Sequence, residues 1–113
     1  MYERRSWGEY RVLEEKTYDD GTSSLTMDIT LMAGKQFTYQ RHQYRDEVLT
    51  LKSGRAEAVI EGVVRIMTPG DCLHIHAGES HAIRALETCY LTEVQIGSTV
   101  AHADVERFGF FWA

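Results

Sequence analysis

Nowhere in the sequence do roughly 18 apolar residues run together, so no membrane-spanning helix and no membrane partner are expected. The stretch from Met1 to Arg11 carries charges throughout and no apolar segment of signal-peptide length, which points to a cytoplasmic protein. Basic charge is also in deficit: 12 lysines and arginines against 17 aspartates and glutamates leave a formal net charge of −5, spread along the chain. A basic face able to follow a phosphate backbone is therefore missing, and nucleic acid is not an expected partner. Cysteine is scarce. Cys72 and Cys89 lack the spacing of a zinc knuckle or a redox pair, and both are read as buried free thiols in a reducing compartment. A sustained 3.6-residue period, low-complexity tracts and internal repeats are absent as well.

What the chain does have is short-range alternation. In Leu25-Thr26-Met27-Asp28-Ile29-Thr30-Leu31 apolar and polar residues take turns, the period of a half-buried strand. Turn signals interrupt such runs at Asp20-Gly21, Ala33-Gly34, Ser53-Gly54, Glu61-Gly62, Pro69-Gly70, Ala77-Gly78 and Ile96-Gly97, so the fold is expected to be all-β, a sandwich or closed barrel. Strands are expected over 8–13, 24–32, 36–42, 47–51, 55–60, 63–67, 71–75, 80–86 and 88–95. With 113 residues, 43% of them hydrophobic and 11% aromatic, residues 1–113 suffice for one core and are expected to form one domain.

Four residues stand out for chemistry. Gln40 and His42 lie two apart and would share a face of a strand. Glu47 begins the next strand after a bend around Tyr44 to Asp46, from which its carboxylate could turn back to the same point. His81 follows the tight Ala77-Gly78 turn and adds a second imidazole. Two imidazoles, one carboxylate and one amide oxygen make a mixed donor set suited to one divalent ion, among zinc, iron, manganese, cobalt and nickel.

The glycines around these residues carry a resemblance. Gly34, His42, Glu47 and Gly54, with Gln40 where a first His is usual, resemble the first signature motif of the cupin superfamily. Gly70, Gly78 and His81 resemble the second, with His76 where Pro is usual and Ala85 where Asn is usual. The resemblance implies a double-stranded β-helix, or jelly-roll barrel, whose metal ligands are Gln40, His42, Glu47 and His81, with zinc the first metal to consider. Gln at the first ligand position is similar to the type II mannose-6-phosphate isomerase family, the C-terminal isomerase domain of mannose-1-phosphate guanylyltransferase/mannose-6-phosphate isomerase enzymes. Arg5-Ser6-Trp7-Gly8-Glu9-Tyr10 looks like that family's opening Arg-Pro-Trp-Gly-x-Tyr. Glu93-Val94-Gln95-Ile96-Gly97-Ser98 and Asp104-Val105-Glu106-Arg107-Phe108 are similar to its closing segment. A chain of this length has no room for a nucleotidyltransferase half and is expected to act alone.

By this resemblance the protein would interconvert mannose-6-phosphate and fructose-6-phosphate. The metal would polarise the carbonyl and neighbouring hydroxyl of the open-chain sugar while a base moves a proton between C1 and C2. Glu93, His74 and His76 are the candidate bases, the two histidines sharing a face by strand parity. Departures from the family are local: Gln43-Tyr44 replaces a His-rich run, Val48-Leu49 replaces His-Trp, and the tail Gly109-Phe110-Phe111-Trp112-Ala113 replaces one that ends in Tyr-Gly-Arg. In place of that tail arginine, Arg107 and Arg84, then Arg65 and Lys52, are candidates to hold a sugar phosphate. The departures leave open two other functions, a cupin that binds metal and a small metabolite without turnover, and a metal-dependent oxygenase. Phe108, Phe110, Phe111 and Trp112, like Trp7, read as core or interface, and the resemblance implies a homodimer.

Overall fold

The structure, a computed structural model, describes residues 2–98, 104–108 and 112. Its strands are β1 (Tyr2–Arg5), β2 (Gly8–Thr17), β3 (Ser23–Leu31), β4 (Tyr39–Arg41), β5 (Arg45–Ser53), β6 (Ala56–Ile60), β7 (Val63–Met67), β8 (Cys72–Ile75), β9 (His81–Ala85), β10 (Cys89–Gly97) and β11 (Glu106–Phe108). They form one sheet in the order β1-β2-β3-β10-β5-β8 and a second in the order β11-β4-β9-β6-β7, with antiparallel pairing throughout. The two sheets enclose the core in the manner of a double-stranded β-helix, and no described helix is long and apolar enough to cross a membrane.

Alternation explains which side chains point inward. On β3, Leu25, Met27, Ile29 and Leu31 are buried while Thr26, Asp28 and Thr30 are half-buried on the other face. Leu49 and Leu51 of β5, Leu73 and Ile75 of β8 and Leu91 of β10 meet Ala56, Ala58, Ile83 and Ala85 of the opposite sheet in one apolar cluster. Small residues on the second sheet let it approach the bulkier first. The turn after β5 depends on Gly54, whose φ of 96° is left-handed and whose missing side chain leaves room for the Thr88 carbonyl.

Several expectations need correction. The strand expected over 36–42 is only three residues long, because 32–38 carries the chain from the first sheet to the second. Along that crossing Gln36 makes a single bridge to Arg84, Phe37 N donates to Ile83 O at 3.0 Å, and ladder pairing resumes only at Tyr39. β1 and β11 were not expected. Cys89 is buried, as read, but Cys72 is exposed, since Leu73 and Ile75 take the inward positions of β8 and leave Cys72 on the outer face. Of the aromatic tail, Trp112 stacks on the Arg84 guanidinium at 4.6 Å; Phe110 and Phe111, and the side chain of Phe108, lie outside the described residues. Trp7 packs edge-on against Phe37, ring centroids 4.8 Å apart.

Candidate metal centre

Three donors from three places in the chain converge inside the barrel. His42 follows β4 directly, Glu47 is the third residue of β5, and His81 opens β9. The ladders bring them together: Gln40 pairs with His81, and Glu47 pairs with Gln95. His42, Glu47 and His81 are 3%, 2% and 5% exposed, and one ligand atom from each lies within 4.8 Å of the other two. His42 Nε2 stands 2.6 Å from Glu47 Oε1, and His81 Nε2 stands 3.4 Å from the same oxygen.

Hydrogen bonds decide what those nitrogens offer. His42 Nδ1 lies 2.7 Å from the Asp104 carbonyl and His81 Nδ1 lies 3.0 Å from the Glu79 carbonyl. A carbonyl only accepts, so both Nδ1 atoms carry hydrogen, and a neutral ring then presents the lone pair of Nε2 to the interior. The Arg45 guanidinium, which only donates, lies with Nη2 3.3 Å from His42 Nε2, as a lone pair there requires. Lone pairs of two imidazoles thus face a carboxylate oxygen that has no correctly oriented hydrogen-bond donor among the described residues. Such a convergence of acceptors calls for positive charge at its centre, which a divalent ion held by two nitrogens and one oxygen could supply. The fit is one of donor chemistry and of orientation, because both rings are already fixed through their far nitrogens, as metal-binding histidines are.

Two carboxyl groups share the buried interior. Burial alone would push Glu47 up, but a hydrogen bond from Glu93 works against it, and Glu47 lies well below the usual carboxylate range. Burial raises Glu93 well above that range, and the negative charge of Glu47 and the hydrogen bond to it push the same way. Gln95 Nε2 donates to Glu93 Oε2 at 3.2 Å. A cavity of about 530 Å³ opens over this group, and its wall includes Gln40, Trp7 and Phe37 together with Arg5, Arg45 and Arg107.

Not every residue read from the sequence lies there. Arg107 lines the cavity from β11, where it pairs with Gln40. Arg84 does not, because His81 and Ile83 take the inward positions of β9 and turn Arg84 outward to Glu57, at 2.6 Å, and to Trp112. Arg65 is exposed on β7, and Lys52 pairs with Asp28 at 2.9 Å. His74 is exposed on β8 for the reason that exposes Cys72, and His76 beyond it is exposed too, so neither imidazole reaches the cavity. Arg45 and Gln95 were missed. Both could have been found by parity, since each stands two residues from an inward carboxylate, Glu47 and Glu93 respectively.

The comparisons with known proteins agree with this geometry. The family described as mannose-6-phosphate isomerase C-terminal matches residues 2–109. A mannose-1-phosphate guanylyltransferase of Salmonella montevideo is 30% identical over an alignment 109 residues long that covers 92% of this chain and 21% of that protein; the chain thus spans about a fifth of the length of such curated relatives. Among solved structures, the capsular polysaccharide assembling protein CapF from Staphylococcus aureus superposes with a TM-score of 0.80 at 12% identity, over 97% of this chain and 34% of that one. A Klebsiella pneumoniae protein with a double-stranded β-helix domain does so with a TM-score of 0.69 at 17% identity, over 88% and 82%. At those identities the likeness is one of fold.

Proposed function

Since the chain belongs to the mannose-6-phosphate isomerase C-terminal family, we propose that its barrel holds one divalent metal ion and interconverts a phosphorylated aldose and ketose, of which mannose-6-phosphate and fructose-6-phosphate are the pair to test first. The observation that carries this reading is the convergence of His42 Nε2, His81 Nε2 and Glu47 Oε1 on one point at the wall of a cavity rimmed by arginines. Gln40 is the fourth ligand. Its amide nitrogen now faces His42 Nε2 at 3.4 Å and its oxygen takes the Thr38 hydroxyl at 3.2 Å, so ligation through oxygen asks for a half-turn of the amide. Zinc is the first metal to try, with iron, manganese, cobalt and nickel compatible with the same donors.

When bound, the ion supplies Lewis acidity to the carbonyl and adjacent hydroxyl of an open-chain sugar. The rest falls to side chains. Arg107, at the cavity rim, holds the phosphate by charge-assisted hydrogen bonds, with Arg5 and Arg45 on the same wall adding positive potential. Glu93, in its ionised form, takes the proton from one carbon and returns it to the other, being the carboxyl group left on the wall once Glu47 is taken up as a ligand, and Gln95 orients it. Trp7 and Phe37 cover the apolar edge of the cavity and keep water from the sugar's reacting carbons.

The test is conversion of mannose-6-phosphate to fructose-6-phosphate by protein of known metal content, with His42→Ala and His81→Ala alongside. Activity that follows metal content and is lost in both variants supports the isomerase. Metal bound without conversion would leave a barrel that binds metal and a small metabolite but turns nothing over.

A further inference from the structure

The outer face of the six-stranded sheet carries a second set of donors that the interior chemistry does not use. β8 is the edge strand of that sheet, and its outward positions are Cys72 and His74, with His76 next in the same alternation. On the neighbouring β5, Val48 is opposite His74, which brings Asp46, two residues earlier on the same face, toward His76. One ligand atom each from Asp46, His74 and His76 lies within 4.8 Å of the other two, and the imidazole centroids are 4.3 Å apart. Asp46 is oriented in advance, since its Oδ1 accepts the Ala77 N–H at 2.7 Å. Its Oδ2 is left 3.8 Å from His76 Nδ1. That gap is too wide for a hydrogen bond, and close to the roughly 3.4 Å between two donors that each sit about 2.1 Å from one tetrahedral zinc ion.

We propose that Asp46, His74 and His76 form a second, surface site for a divalent transition-metal ion, distinct from the interior group of His42, Glu47 and His81. Two imidazoles and a carboxylate favour zinc, copper or nickel over calcium or magnesium, which take oxygen ligands. Both rings are exposed, so the ion keeps water in its remaining positions and pays no burial penalty. Its structural effect is to pin edge strand β8 and the turn after it to β5, on the side of the sheet opposite Glu47. The site stands whether or not the barrel is an isomerase.

Equilibrium dialysis of chelator-stripped protein against zinc decides it, with His74→Ala, His76→Ala, Asp46→Asn and the double variant His42→Ala/His81→Ala compared with the unmodified chain. The unmodified protein is expected to take up a second equivalent that the interior double variant retains. His74→Ala, His76→Ala and Asp46→Asn should each weaken it at least about tenfold, since loss of a mere supporting partner already costs about 10- to 100-fold in metal affinity. Asp46→Asn keeps an oxygen for the Ala77 N–H, so its effect reports ligation and not the turn. All three positions are on the surface, and unchanged melting of the metal-free variants verifies the fold. Absence of a second equivalent, or one that binds equally well in His74→Ala and His76→Ala, overturns the proposal.

Discussion

His42 is constrained at both ring nitrogens, by the Asp104 carbonyl on one side and by Arg45 and Glu47 on the other. Glu93 is constrained less by neighbours than by its lack of water. Glu93→Gln preserves size and a hydrogen-bonding partner for Gln95, so the variant should keep its metal while conversion falls by about 10²- to 10⁴-fold; turnover matched to metal content measures this, and unchanged turnover would assign the proton to another group. On the outer face, the Lys52 hydrogen bond holds the Asp28 carboxyl below its ordinary value. A carboxylate whose folded pKa is depressed stabilises the fold above its unfolded pKa of about 3.9 and loses that contribution as pH falls through the folded value. Both side chains are more than a third exposed, so Asp28→Asn should cost only about 0.5 kcal/mol at neutral pH and nothing at pH well below the carboxylate range, as urea midpoints at the two pH values would show. At this scale parity was the legible signal. Leu73 and Ile75, both apolar, already indicate that His74 faces outward, whereas an arginine on the inward face, Arg45, runs against what its residue type suggests.

Among the elements, the segment at 104–108 does more for the site than its length suggests. The Asp104 carboxylate accepts the backbone N–H of Gln43 at 2.9 Å and of Tyr44 at 3.1 Å, and its carbonyl fixes the His42 ring. The same residue therefore shapes the bend between β4 and β5 and aims a ligand. Asp104→Ala removes two charge-assisted hydrogen bonds from that bend. Stability should fall by about 1–3 kcal/mol, and affinity for the interior metal should fall with it, because alanine keeps the carbonyl that orients His42 but not the side chain that anchors it to the bend. Denaturant unfolding and metal titration measure the two effects separately, and an unaltered metal affinity would mean the bend holds His42 without Asp104. The entry to β5 is tight from the other side as well, because Gly97 packs its backbone against the Tyr44 carbonyl and Arg45. Strand positions from β5 to β10 were readable from alternation and glycine turns. β11 was not, and β4 was read too long, as three-residue strands are too short for a period to mark and are set by their partners.

For the molecule as a whole, the contrast between an acidic chain and a cavity wall that gathers three arginines matters. With a net charge of −5, the protein repels anions in general, while Arg5, Arg45 and Arg107 line the one opening over His42, Glu47 and Glu93 among the cavities described. Exposed Arg107 at the edge of that opening is the cation there that the proposed sugar-phosphate substrate would meet. An all-β fold could be read from alternation and turns, and the convergence of His42, Glu47 and His81 follows the resemblance of their spacing to a known pair of motifs. Which strands share a sheet could not, because β3 meets β10 across more than half the chain and only long-range packing decides such pairings. Metal binding by the proposed interior site would also be coupled to folding at this scale: an ion present at 100 times its dissociation constant would add about 2.7 kcal/mol to stability.

The most direct measurement is the rate of mannose-6-phosphate isomerisation as zinc is titrated into the chelator-stripped His74→Ala/His76→Ala variant, with bound metal counted at each step. The interior site predicts a rate that starts at background, rises in proportion to bound metal and levels off at one ion per chain. A rate independent of bound metal, or no conversion when the barrel is fully loaded, would contradict the account.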